Sequence, residues 1–322
     1  MIFSRVLCVG VLVSDVFVPP VERMPNAGEL LATDEFLVEP GGCAANVAIA
    51  LGKLGVAASV SGRVGDDIYG EMVKRDLSAL GIDTSGVLTT AGLGTSKTVI
   101  ISVVGEDRRY LHTFGANAAL AAADIDPSAF ETADVIYIGG YLILPALRDD
   151  ELAPRLAAAR ARGATTILDV AAPAERELSL EAVSRLLPHV DYFVPNLDEA
   201  FALTGESDPR RQADKLIEHG ALTAMIKLGE KGIYVRSGTE SFAFDAPSIA
   251  VVEPSGAGDA FAAGIAVGIL EGWDLPTIAR FASVIGASAC SALGCAAGIL
   301  SRREADAFVS GHPLSLRHDA GS

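Results

Sequence analysis

The chain has few cysteines and little basic charge, and it lacks any long unbroken apolar stretch. Its 25 lysines and arginines face 41 aspartates and glutamates, a net of −16 with histidine neutral. A field of that sign repels polyanions, which excludes a basic nucleic-acid-binding surface. It does not exclude a small anionic ligand, because glycine-rich backbone amides act locally while distant surface charge is screened. The four cysteines, Cys8, Cys43, Cys290 and Cys295, form no Cys-x-x-Cys pair and no zinc-ligand spacing. So few in 322 residues read as free thiols of a reducing cytoplasm. Nothing approaches the ~20 apolar residues that span a bilayer, so no membrane partner is expected. The apolar run at residues 6–13 follows Arg5 and ends at Ser14-Asp15 without a small-x-small cleavage site. It reads as a buried strand and not as a signal peptide. Also missing are the P-loop, the Gly-x-Gly-x-x-Gly turn after a strand, the Gly-x-Ser-x-Gly elbow and the His-Glu-x-x-His helix. Their absence argues against P-loop NTPases, dinucleotide dehydrogenases, serine hydrolases and zincins.

What is present is core-forming material, with half the residues hydrophobic and a fifth charged. At roughly 150 residues per domain, the length suits one large or two modest domains. Short apolar runs at 6–13, 57–61, 135–138, 166–170, 192–194 and 224–228 predict strands buried on both faces. Amphipathic patterns predict helices at 68–80, 150–162 and 209–219. Asp208-Pro209 reads as an N-cap with proline at the first helical position. Gly81, Gly163 and Gly220 stand just past these helices, where a left-handed residue ends them. Repeated βα units predict an α/β fold, a mostly parallel doubly wound sheet flanked by helices.

Two segments break this rhythm. Residues 19–38 contain Pro19, Pro20 and Pro25, and residues 97–104 and 109–114 flank Gly105-Glu106-Asp107 as a hairpin. They predict a small β-sheet at 15–38 and 95–114, standing off a core of 1–14, 39–94 and 115–322. Edge strands of the main sheet are the alternative. The tail from Gly311 reads as loosely ordered.

Two glycine-rich turns carry the chemistry. Gly256-Ala257-Gly258 precedes a small, apolar run to Leu270, so backbone N–H groups converge at a positive helix start, an anion site. Asp259 follows in the first turn. A carboxylate there would repel a resting phosphate, but it makes sense as a base for an attacking hydroxyl. The turn alone also fits an ordinary helix start. Gly41-Gly42-Cys43-Ala44-Ala45-Asn46 opens a helix to about Leu54, and Asn46 offers a donor and an acceptor suited to a polyol. That segment also fits a turn before a helix packed through small residues. Asp15, ending the first strand, falls at the carboxyl edge where open α/β sheets place ligands.

Together these residues resemble the ribokinase-like (phosphofructokinase B) carbohydrate kinases. Supporting matches stand in order between the two turns: Gly62-Arg-Val-Gly-Asp-Asp-x-x-Gly70, Gly115-Ala-Asn117, Asn196-x-x-Glu199 and Lys227-Leu-Gly-x-x-Gly232. The resemblance covers about residues 5–310. It implies an ATP-dependent kinase acting on a hydroxymethyl group of an unphosphorylated sugar or sugar derivative. Asp259 would be the catalytic base, and Gly256, Ala257 and Gly258 the anion hole. Asp15, Gly41, Gly42, Cys43, Ala44, Ala45, Asn46, Asn117 and Tyr141 would line the sugar. Asn196, Lys227, Gly229, Gly232, Gly258 and Ser283 would bind the nucleotide, and Glu199 would organise Mg2+ through water. The small sheet would be a lid that closes over the sugar and pairs two subunits into a homodimer.

Departures from the family pattern leave other points open. Glu253-Pro254-Ser255 replaces the family's common Asp-Thr, and Gly298 takes the place of a serine. Both bear on a monovalent-cation site of the K+ type, for which carbonyls of Glu253, Ser255, Ala289, Ala292 and Gly294 remain. Cys43 stands where a Gly-Lys pair marks relatives that bind phosphorylated sugars. No glutamate stands near Tyr141, as in ribokinases proper, and the run after Asp169 lacks the arginine of several keto-acid sugar kinases. A nucleoside kinase (adenosine, inosine or pseudouridine type) and a catalytically silent sugar-binding sensor stay as alternatives.

Overall fold

The computed structural model describes residues 5–106, 108–172, 178–311 and 314–318. Asp107, at the expected hairpin turn, and Pro173, in the run after Asp169, lie outside the described residues. The chain runs β1 (Val6–Gly10), β2 (Val13–Val21), β3 (Leu37–Gly41), α1 (Cys43–Lys53), β4 (Ala58–Gly65), α2 (Ile68–Ala79) and β5 (Asp83–Thr90). Next come β6 (Lys97–Val103), β7 (Arg109–Thr113), α3 (Pro127–Thr132), β8 (Val135–Gly139), α4 (Asp149–Ala161), β9 (Thr165–Leu168) and β10 (Tyr192–Phe193). The last third holds α5 (Leu197–Thr204), α6 (Pro209–Glu218), β11 (Thr223–Lys227), β12 (Ile233–Ser237), β13 (Ser241–Phe244), α7 (Ala257–Leu270), α8 (Leu275–Ala289), α9 (Arg302–Gly311) and β14 (Leu316–His318).

Among the described residues, ten strands form the main sheet in the order β14-β13-β12-β11-β10-β9-β8-β1-β4-β5. Pairing is parallel from β11 across to β5 and antiparallel from β11 out to β14. One apolar layer packs α1, α2, α7 and α8 on one face; the other packs α3 to α6 on the opposite face. Small residues set the closeness of these layers. A Cβ on Gly264 of α7 would lie 2.6 Å from Ala282 Cα of α8. The predicted caps are present: Asp208 accepts from the Arg210 N–H, and Gly81, Gly163 and Gly220 all have positive φ.

A separate four-stranded sheet, β3-β2-β6-β7, stands beside the main one, as the proline-rich and hairpin segments predict. Pro19 and Pro20 fall where the β2–β6 register shifts, between Val18 and Val21, so their missing N–H groups interrupt no regular ladder.

Two expectations need correction, and one strand has no counterpart in the sequence analysis. The apolar run at 6–13 is not one strand: β1 ends at Gly10, and β2 starts at Val13 in the other sheet. β1 and the start of β2 are both buried, so hydrophobicity is continuous across the break and periodicity cannot reveal it. The tail beyond Gly311 is not structureless throughout, because β14 pairs with β13. Finally, β5 (Asp-Thr-Ser-Gly-Val-Leu-Thr-Thr) is an edge strand too polar to have been read as core.

Candidate active site

From β1 the main sheet grows through β4 to one side and through β8 to the other. The carboxyl ends of β1 and β8 therefore flank a topological switch point, the usual ligand crevice of such sheets. The glycine-rich turns that start α1 and α7 both arrive there. Gly256 caps α7 with φ +76°, in the left-handed region that favours glycine, and Asp259 lies in the first turn. Asn46, in the first turn of α1, donates Nδ2–H to Asp259 Oδ2 at 2.8 Å. Tyr137 from β8 brings its hydroxyl within 3.5 Å of Asp259 Oδ1. Burial pushes the Asp259 carboxyl up to about 7, and the nearby Asp169 charge adds to this. The Asn46 hydrogen bond and Lys227 oppose the rise. A carboxyl poised there can take a proton at neutral pH. Asn46 Oδ1 is buried and has no hydrogen-bond partner among the described residues, and the Cys295 thiol lies close enough to respond to the Asn46 side chain.

The inner face of the small sheet forms a second wall. Glu39, Asp15, Thr98 and His112 stand in cross-strand register over β3, β2, β6 and β7. Thr98 Oγ1 and His112 Nδ1 are 3.0 Å apart. Asp15 is buried, and that burial lifts its carboxyl to about 7 against a hydrogen bond from Thr98. A Cβ at Gly41 would collide with the Asp15 carboxylate, so glycine is needed for this approach. Cys295 ties this wall to the rest: its N–H donates to Glu39 Oε1 at 2.8 Å, and its Sγ lies 3.8 Å from Asp15 Oδ2. Gly42 caps α1, and Cys43, Ala44 and Ala45 form its first turn. Burial drives the Cys43 thiol well above its usual range, so it is a neutral group there. Tyr141 follows β8 in a short 3-10 turn, its N–H donating to the Asp169 carbonyl at 3.3 Å.

Two expected contact residues are otherwise engaged. Asn117 accepts from the Leu12 N–H at 3.1 Å and donates to the Leu12 carbonyl at 2.8 Å. Its buried amide therefore braces the link between β1 and β2 and is not a free sugar contact. Ser283 donates Oγ–H to the Ala279 carbonyl at 2.8 Å within α8, so its hydroxyl proton is not offered to a base.

At the other end, Asn196 and Glu199 form a reciprocal capping box on α5, with bonds of 2.7 and 2.8 Å. One Glu199 oxygen is thus committed to the backbone. Burial raises the Glu199 carboxyl to about 7 despite the opposing charge of Lys227. Asn196 is bridged to Lys227, which places the box beside the end of β11. Gly229 and Gly232 bracket the tight turn from β11 to β12.

Ahead of α7, the buried Glu253 carboxylate accepts from the Ser255 N–H (2.9 Å) and from Arg108 of the small sheet's hairpin (3.0 Å). Arg108 also donates to Ser255 Oγ at 3.0 Å. Val252 and Glu253 N–H groups both donate to the Cys290 carbonyl, at 2.7 and 3.1 Å. This joins the segment of Glu253 and Ser255 to that of Ala289, Ala292 and Gly294. Sequence reasoning missed Glu39, His112, Tyr137, Arg108 and Asp169 as site residues. Only strand register and the meeting of distant segments bring them there, so no local signal marks them.

The chain is similar to known proteins over most of its length. The family model described as pfkB family carbohydrate kinase matches residues 4–302. A 2-dehydro-3-deoxygluconokinase of Bacillus subtilis is 29% identical over 280 residues, 84% of this chain and 86% of that protein. An ATP-dependent ribose-1-phosphate kinase of Halopiger xanaduensis is 30% identical over 284 residues, 88% of this chain and 90% of that protein. A putative ribokinase II from E. coli, solved in complex with ATP and Mg2+, superimposes with a TM-score of 0.82 at 21% identity. That match covers 96% of this chain and all of the other. With the family match running almost from end to end, this chain belongs to the pfkB family of carbohydrate kinases and is itself a kinase.

Proposed function

We propose that this kinase moves the γ-phosphoryl group of ATP onto a hydroxymethyl group of a neutral, unphosphorylated sugar or polyol, with Asp259 as general base. The observation that carries the reading is the Asn46–Asp259 hydrogen bond at the start of α7. It holds a carboxyl of raised pKa beside the amides of Gly256, Ala257 and Gly258, with the unpaired Asn46 Oδ1 as an acceptor for a sugar hydroxyl. The wall of Glu39, Asp15 and Thr98 favours hydroxyl donors. A sugar phosphate or sugar acid would meet two carboxylates there. Arg108, which could have received an acid group, is held by Glu253 and Ser255.

Asp259 takes the hydroxyl proton as the sugar oxygen attacks phosphorus in line. The turn amides stabilise charge spreading over the equatorial oxygens. Asn196 and Glu199 lie where nucleotide phosphates and a hydrated Mg2+ would be held. Among the described residues no cluster of three His, Cys, Asp or Glu side chains forms a ready metal cage. Mg2+ is commonly held by phosphates, waters and one or two carboxylates, so this donor set fits. The ion would supply charge neutralisation on the phosphates. The joined segments of Glu253, Ser255, Ala289, Ala292 and Gly294 suit a K+-type ion held by backbone carbonyls, since the Glu253 side chain is already engaged.

The small sheet of β2, β3, β6 and β7, which extends past the expected 15–38 at both ends, acts as the lid in this reading. Its outer face carries a cross-strand row of Val38, Val16, Val99 and Leu111, with Leu111 67% exposed. Such a face pairs with a second copy in two-fold fashion, making a homodimer. No helix among the described residues is long and apolar enough to cross a membrane, and all four cysteines are free. Free thiols support a cytoplasmic location. A coupled ADP-release screen of ribose, fructose, 2-keto-3-deoxygluconate, inositol and nucleosides tests the reading. A neutral sugar or polyol should stimulate release most. Stimulation only by nucleosides, or by the keto acid, would overturn the substrate class, and no stimulation by any acceptor would favour a sensor.

A further inference from the structure

Lys227 ends β11 with its ammonium packed against the first turn of α7. Its Nζ lies 3.1 and 3.2 Å from the two carboxylate oxygens of Asp169. A Cβ built on Gly258 would sit 3.0 Å from the same nitrogen, so glycine there leaves room for the ammonium beside the anion-hole turn. An ammonium carries three N–H bonds. The two Asp169 oxygens belong to one carboxylate on one side of the nitrogen, so they cannot meet all three, and no other acceptor among the described residues is hydrogen-bonded to it. Burial works against the charge, but the Asp169 and Glu199 carboxylates outweigh it and hold the lysine above its ordinary range. Lys227 therefore stays cationic among Asp169, Glu199 and Asp259, each of which responds to its charge. Three carboxyls around a phosphate site are repulsive unless a fixed cation stands where the phosphate oxygens arrive.

We infer that Lys227 is a catalytic residue, its third N–H donating to an oxygen of the phosphoryl group in flight, with Asp169 as the positioning residue that aims it. This rests on the reading of Asp259 as the base. The sugar oxygen bonds to the γ-phosphorus while the bond from that phosphorus to the β,γ-bridging oxygen breaks. The electron pair leaves with ADP, and the hydroxyl proton goes to Asp259. Lys227 keeps its proton throughout and neutralises charge that peaks between reactant and product. The rival account is an ion pair that only braces β9 against β11.

The two accounts separate on a transition-state mimic. Full-length wild type and Lys227→Met are titrated with MgADP, with and without fluoroaluminate, and assayed for ADP release with the best acceptor of the screen. We expect MgADP binding to weaken, but by far less than the complex with the mimic. The tightening that fluoroaluminate adds should fall by ~10²-fold, and kcat by ~10²-fold or more, as for loss of one oxyanion donor. In Lys227→Ala, methylammonium should restore part of the lost kcat, while tetramethylammonium at equal ionic strength should not. Undiminished tightening, or a folded variant turning over within ~3-fold of wild type, would overturn the inference. Removing one partner of a buried pair can unfold a protein. The double variant Lys227→Met with Asp169→Leu removes both charges and should show the same loss. Asp259→Asn serves as the control. If it keeps wild-type turnover, the base assignment fails, whatever Lys227 does.

Discussion

Asn46 Nδ2 and Asp259 Oδ2 are 2.8 Å apart although 213 positions separate the two residues. The bond joins the opening turns of α1 and α7. Each turn alone could be an ordinary helix start, but together they hold an acid and an amide at one point of the crevice. Asn46 grips the proposed base with its donor, and its amide oxygen is left without a hydrogen-bond partner among the described residues.

Asp259→Asn should keep sugar and nucleotide binding and lower kcat by at least ~10²-fold. The base must be ionised to work, and burial lifts its carboxyl to about 7. In wild type, kcat/KM should therefore rise with pH up to about 7 and level off above it. A variant with near wild-type turnover, or a profile flat from pH 5 to 8, would remove Asp259 from the role.

The same carboxyl sets a stability trend. Its folded pKa lies above the unfolded value near 3.8, so the folded state binds the extra proton between about pH 4 and 7. Stability from this group is therefore lost as pH rises through that window. Asp259→Asn should be more stable than wild type at pH 8, by an amount on the order of a few kcal/mol. The difference should shrink toward zero at pH 4. Urea midpoints measured across that range check this, and parallel curves for the two proteins would contradict it.

Exchange of Na+ for K+ at constant ionic strength should raise the rate if the carbonyls of Glu253, Ser255, Ala289, Ala292 and Gly294 hold an ion. The two segments are drawn together at Cys290, which is what such a site requires. Equal rates in the two salts would mean that Pro254 and Gly298 have abolished it.

Light scattering at micromolar concentration should show a dimer of this 33.2 kDa chain. Ile101 pairs with Val18 on the outer face of the small sheet, so Ile101→Asp should dissociate it. A wild-type monomer, or a variant that stays dimeric, would rule out the lid interface.

Much of this architecture was legible locally. Apolar runs mark the central strands because strands buried on both faces need no alternation. Glycines past α2, α4 and α6 mark helix ends because few other residues adopt positive φ. The break between β1 and β2 was not legible, since both sides of it are buried. The roles of Asn117 and Ser283 were not legible either. An amide or hydroxyl suits a ligand and a backbone carbonyl equally, and only the fold shows that Leu12 and Ala279 take them.

The sequence by itself determined the layered α/β design, the two glycine-rich turns and the acid that follows one of them. These depend on composition, periodicity and neighbours within a few positions. Tertiary structure decided the surroundings of each acid. The raised carboxyls of Asp15, Glu199 and Asp259 come from burial, and burial depends on every layer packed around them. Tyr137 in β8, Asp169 just past β9 and Lys227 at the end of β11 reach Asp259's neighbourhood from three interior strands of the main sheet, an arrangement set by strand order. Strand order is a long-range choice, and no short stretch of chain encodes it.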